Sequence, residues 1–118
     1  MDFAVSAQPQ GDSIAVISIQ GEVDVYTAPK LREEIHRRLD QGETRVVADL
    51  TNVAYMDSSG LGVLIGALKR SREEGGDLIV AAPNPRISRI LDVTGLSKIF
   101  NVHADVSGAV DVLKGMAR

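Results

Sequence analysis

The chain has 118 residues, 44% apolar and 25% charged, which suits one domain spanning residues 1–118 and leaves no room for two ordinary ones. Without cysteine it has no disulfide framework, zinc knuckle or thiol nucleophile, and a formal net charge of −3 weighs against nucleic acid, which demands clustered Lys and Arg. No apolar run approaches the roughly 20 residues of a membrane span, and "MDFAVSAQPQ" has neither the basic start nor the apolar run of a signal peptide, so the expectation is a cytoplasmic protein with no membrane partner.

Residues 3–7 read as a weak strand before a turn at "PQGD", and residues 13–20, "SIAVISIQ", as a stronger Ile- and Val-rich one; together they predict an opening hairpin. Leu31, Ile35 and Leu39 recur every four positions between Thr27, a cap with Pro29 in the first turn, and Gly42, a stop, which predicts a helix. Residues 45–50, "RVVADL", and 78–82, "LIVAA", are short and almost wholly apolar, as strands covered on both faces of a parallel sheet are. Between them Leu61, Leu64, Ile65 and Leu68 follow the spacing of a helix face, so the order strand, helix, strand implies a parallel crossover. Asn84 and Pro85 open a short helix carrying Ile87, Ile90 and Leu91, with Gly95 as its stop; "SKIFNV" reads as a short edge strand; Asp105 caps a last helix with Val106, Ala109, Val110 and Leu113 on one face. The predicted fold is α/β: a mixed, mostly parallel sheet of four to five strands, an opening hairpin and about four helices.

The block "MDSSGLGVLIG", residues 56–66, carries the chemistry to be weighed. A nucleophile elbow needs glycine two positions before its serine, but Met56 and Asp57 stand there. The histidines, His36 and His103, lie on a charged helix and in a turn and read as solvated, so no triad base is offered. Asp24, Asp49 and Asp57 are scattered and make no metal motif, so neither metal nor cofactor is expected, and the chain does not read as an enzyme. The dinucleotide pattern starts at Gly60 and Gly62 but has Ile65 in place of its third glycine, and no Gly-Lys-Ser/Thr occurs. What remains is a helix start able to tolerate an anion. The plain alternative is that Asp57 or Ser58 caps a helix whose glycines pack closely, and the pattern does not choose between them.

The blocks "GEVDVYTAPKLREEI", "VVADLTNVAYMDSSGLGVLIGALKR" and "GLSKIF" make the chain resemble the anti-sigma factor antagonists, bacterial STAS-domain proteins of partner-switching pathways. The resemblance implies a non-enzymatic regulator that, unmodified, binds an anti-sigma factor serine kinase and so frees a sigma factor for transcription. Phosphorylation by that kinase releases the complex, and a serine phosphatase of the PP2C type restores it. The modified residue maps to Ser58, with Ser59 as the adjacent rival; Asp24 and Asp57 map to positions that support kinase binding. Ser59, Gly60, Leu61 and Gly62 complete the expected partner surface, although the phase of Leu61 with Leu64 and Leu68 also suits the core. A monomer or weak dimer is expected. The alternatives are a constitutive STAS scaffold or transport-complex subunit with no phosphorylation cycle, and a small nucleotide-binding domain, which no Lys or Arg within the block supports.

Overall fold

In a computed structural model, which describes residues 2–116, β1 (Ala4–Gly11) and β2 (Ile14–Val23) form the antiparallel hairpin. Asp12 and Ser13 turn it with φ of 53° and 62°, the left-handed pair whose twist matches the flanking strands. The strand therefore continues through the "PQG" expected to turn. Pro9 is accommodated because β1 is an edge strand with an irregularity between Pro9 and Gly11.

The sheet order is β1-β2-β3-β4-β5, with β3 (Arg45–Met56), β4 (Asp77–Ala81) and β5 (Asn101–His103) parallel to β2. The crossovers are α1 (Ala28–Asp40), α2 (Ser58–Glu73) and α3 (Pro85–Val93). Sequential neighbours joined with one hand must place all three helices on one face, where Leu31, Ile35, Leu64, Leu68 and Ile87 meet Ile17, Val46, Ala48 and Val80. α4 (Val106–Lys114) covers the opposite face, setting Ala109, Val110 and Leu113 on Ile14, Val16, Val47 and Ile79. Successive residues of β3 thus enter different cores, which is why its sequence is apolar without alternation.

Two elements differ from the sequence reading. The "SKIFNV" strand is mostly a tight turn: after Gly95, at φ 78°, residues Leu96–Lys98 form a short 3-10 helix. Lys98 N donates to Gly95 O, and Ile99 N and Phe100 N donate to Leu96 O, so those donors are unavailable to a ladder and only Asn101–His103 pair with β4. β3 runs to Met56, six residues past the expected end at Leu50. This extension lies beyond the end of β4 and pairs only with β2, with register shifts at Ser18/Gln20 and Gly21/Glu22. Its polar Thr51 and Asn52 are exposed for that reason.

The caps divide similarly. Asn84 Oδ1 accepts from Ile87 N at 2.9 Å and Asp105 Oδ1 from Gly108 N at 2.7 Å, as expected. Thr27 holds the cap position of α1 but gives that helix no side-chain bond; its hydroxyl donates to Glu22 O at 3.0 Å instead. Arg45, read only as part of a strand, is buried and donates to Leu113 O and Met116 O, both at 3.0 Å, fastening the carboxyl end of α4 to the start of β3.

Candidate functional site

β2 and β3 run parallel with Val23 opposite Met56, and Asp57 N donates to Val23 O at 3.0 Å. The two strands end side by side, and the next residue of each is an aspartate, Asp24 or Asp57. Register alone brings together two acids 33 positions apart in the chain, at the carboxyl edge of the sheet where crossover folds open their crevices.

Each aspartate also has local work. Asp57 Oδ1 accepts from Ser59 N at 2.8 Å and Gly60 N at 3.3 Å, so it, and not Ser58, caps α2. Asp24 Oδ1 accepts from Tyr26 N at 2.9 Å and Thr27 N at 3.0 Å, closing the turn that leads from β2 into α1. Ser58 is the first residue of α2; it is exposed, and its hydroxyl has no hydrogen bond among the described residues. Ser59, one position on, is half-buried and lines a groove between α1 and α2. The adjacent hydroxyls therefore face different surroundings.

The glycines separate in the same way. Gly60 is buried, and a Cβ there would lie 2.5 Å from Met56 Cγ and 2.7 Å from Val23 Cγ1; its missing side chain is what lets α2 start tight against the two strand ends. Leu61 is only 9% exposed and belongs to the core. Gly60 and Leu61, both named in the expected partner surface, are therefore buried in this chain. Gly62 and Gly66 differ, being exposed, with nothing within 4 Å of a Cβ at either.

Sequence reasoning missed the apolar rim. Val25 is 61% and Tyr26 85% exposed, and Tyr55, near the end of β3, is 38% exposed. The available signal was in "DVYTAP": Val25 and Tyr26 fit neither the alternation of β2 nor the stripe of α1, so nothing within the chain required them to be apolar.

His36 is half-buried on α1, and its pKa is lowered from 6.5, chiefly by burial and then by the nearby charges of Arg32 and Arg70. Arg70 Nη1 lies 2.9 Å from His36 Nδ1, and since the guanidinium only donates, Nδ1 holds the lone pair. No hydrogen bond joins His36 to Ser58 or Ser59. Among the described residues no group of three or more His, Cys, Asp or Glu is placed to hold a metal ion, and no helix is long and apolar enough to cross a membrane.

The STAS domain model matches residues 7–109. This chain belongs to the STAS-domain family. Similar proteins within that family include anti-sigma factor antagonists: the anti-sigma-B factor antagonist of Bacillus subtilis (strain 168) is 39% identical over 101 residues, covering 86% of this chain and 92% of that protein. Among solved structures, an anti-sigma factor antagonist from Mycobacterium paratuberculosis is 27% identical with a TM-score of 0.86, covering 96% of this chain and 95% of that one. The Bacillus cell fate determinant SpoIIAA, in its phosphorylated form, is 25% identical with a TM-score of 0.74, covering 92% and 97%. The shared STAS fold is the five-stranded sheet and four helices described above.

Proposed function

We propose that this chain is a non-enzymatic, cytoplasmic antagonist of an anti-sigma factor: with Ser58 unmodified it binds an anti-sigma factor serine kinase and thereby releases a sigma factor for transcription. Phosphorylation of Ser58 by that kinase ends the complex, and a PP2C-type serine phosphatase resets it. The observation that carries the reading is the placement of Ser58: an exposed hydroxyl with no hydrogen-bond partner among the described residues, at the start of α2 beside the paired strand ends that lead into Asp24 and Asp57. The names of the relatives support the antagonist role, and one solved relative is a phosphorylated form.

The geometry supports release without unfolding. A phosphate at a helix start ordinarily gains the free N–H groups there, but Asp57 Oδ1 already takes those of Ser59 and Gly60. The ester on Ser58 therefore stays on the outer side of the carboxylate, adding roughly −1.5 to −2 charges to a surface the partner must cover. Across from Ser58, a kinase that has just transferred its phosphoryl group holds the spent nucleotide's terminal phosphate. Two unit charges about 4 Å apart at an effective dielectric of about 20 repel by about 4 kcal/mol, enough to weaken binding roughly a thousandfold.

The test is incubation with the anti-sigma factor of the same cell and ATP, followed by mass spectrometry of the peptide spanning residues 56–66. One added phosphoryl group at Ser58, absent from Ser58→Ala, supports the proposal. A label on Ser59, or binding with no ATP-dependent mass shift as a constitutive scaffold would show, contradicts it.

A further inference from the structure

A groove of about 600 Å³ runs between α1 and α2 beside the Ser58 site, with apolar walls from Val25, Ala28, Pro29 and Val63 and with Arg32 and His36 along it. An adjoining depression of about 390 Å³ continues past Gly62 and Gly66. Both glycines weaken their helix, yet a Cβ at either meets nothing within 4 Å. Packing within the chain does not call for them, and what they leave is room.

The charges are uneven. Arg37 is matched by Glu33 and Glu34, Arg38 by Glu43, and Arg70 by Asp40 and Glu74. Arg32 is exposed and has no hydrogen bond or carboxylate partner among the described residues. The one acid of the groove, Glu33, is committed to Arg37. Burial and the two neighbouring arginines disfavour a proton on His36, which leaves Arg32 as the groove's cation. At the rim, Val25 and Tyr26 extend the exposed apolar surface towards the strand ends that carry Asp24 and Asp57, and Ser59, next to Ser58 in the chain, lines the groove itself, so the groove adjoins the Ser58 site.

We infer that the α1–α2 groove docks a segment of the anti-sigma factor that sets an aliphatic side chain between Ala28 and Val63 and a neighbouring carboxylate on Arg32. The inference rests on the proposed antagonist role and adds to it a second contact zone, one that depends on groove shape and Arg32 and not on the state of Ser58. Ser59 then belongs to this docking zone and Ser58 to the switch, which gives the adjacent hydroxyls separate duties. Arg32 and an apolar wall suit a carboxylate beside an aliphatic group, because the pair gains charge-assisted hydrogen bonds and covers apolar surface together.

The experiment is titration calorimetry of the purified, ADP-loaded anti-sigma factor of the same cell against the unmodified chain and its Arg32→Glu, Arg32→Lys, Gly66→Leu and Ser58→Glu variants. Arg32→Glu and Gly66→Leu are each expected to weaken binding by about tenfold or more, and Arg32→Lys by no more than about threefold. The thermal midpoint of Gly66→Leu should equal or exceed the parent's, which separates a filled groove from a damaged fold. If Ser58→Glu loses binding while Arg32→Glu and Gly66→Leu bind as the parent does, the groove inference falls and the switch stands. A parent chain that does not bind the anti-sigma factor removes both. Sedimentation showing self-association that Gly66→Leu abolishes would make a second copy the occupant, and would overturn the inference as stated.

Discussion

Replacing Gly60 by alanine should separate packing from docking among the glycines of α2. The added Cβ would lie 2.5 Å from Met56 Cγ, 2.7 Å from Val23 Cγ1 and 3.1 Å from Val23 Cβ. Val23 and Met56 are 0% and 1% exposed, and the β-branched Val23 has little rotamer freedom, so neither yields cheaply. Overpacking of this kind costs about 1–3 kcal/mol. Because Gly60 sits in the first turn of α2, the usual gain of up to about 1 kcal/mol for Gly→Ala in a helix interior offsets it only in part. With unfolding entropy near 2.1 cal/mol/K per residue, a chain of 118 residues loses about 4 °C of melting temperature per kcal/mol. With roughly half of that gain realised, Gly60→Ala should therefore lower Tm by about 2–10 °C, whereas Gly62→Ala and Gly66→Ala, whose Cβ atoms enter open space, should each raise it by up to about 4 °C. Differential scanning calorimetry on the three variants decides. A Gly60→Ala protein as stable as the parent would refute the claim that this glycine exists for close packing.

Three further outcomes follow from the geometry. Asp24→Asn keeps an oxygen for Tyr26 N and Thr27 N and should change stability by no more than a few tenths of a kcal/mol, whereas Asp24→Ala loses both bonds and should cost about 1 kcal/mol in denaturant titrations; if Asn proves as costly as Ala, the carboxylate charge itself supports the fold. Arg45→Met strips two donors from the carbonyls of Leu113 and Met116 and should destabilise by about 2 kcal/mol, first visible as faster amide exchange in α4, and unchanged exchange there would show that the fastening is idle. Because the folded state binds a proton at His36 less readily than the unfolded chain, the unfolded state takes up the extra proton as pH falls below about 6.5, and stability should decline there towards the lowered folded value. His36→Gln should flatten that part of the stability profile, as read from denaturant midpoints at about pH 7.5 and about pH 5; parallel profiles for parent and variant would show that His36 does not contribute.

Most of the fold was readable because each buried stripe has one period. Leu31, Ile35 and Leu39 mark α1, and the caps at Asn84 and Asp105 use residues whose side chains reach their own helix N–H groups. What was not readable depended on neighbours distant in the chain. Thr51 and Asn52 look like the end of a strand, but only the shortness of β4 makes them exposed rungs of a longer one. Phe100 reads as strand, yet the backbone around it is already bonded into a turn. At the site, Ser58 and Asp57 were visible as a helix start, whereas the meeting of Asp24 with Asp57 comes from strand register, which no local pattern encodes. Gly60, Gly62 and Gly66 look alike in one dimension; only the positions of Val23 and Met56 distinguish the first from the others. Arg45 was hidden for the same reason, since its partners lie at residues 113 and 116.

The central claim is tested most directly by preparing the chain with Ser58 quantitatively phosphorylated and measuring its affinity for the anti-sigma factor beside that of the unmodified protein, with melting temperature recorded for both. The account predicts a loss of about a thousandfold in affinity with Tm changed by no more than about 4 °C, the equivalent of one helix cap. Equal affinities, or a loss that appears only because the phosphorylated chain has unfolded, would contradict it.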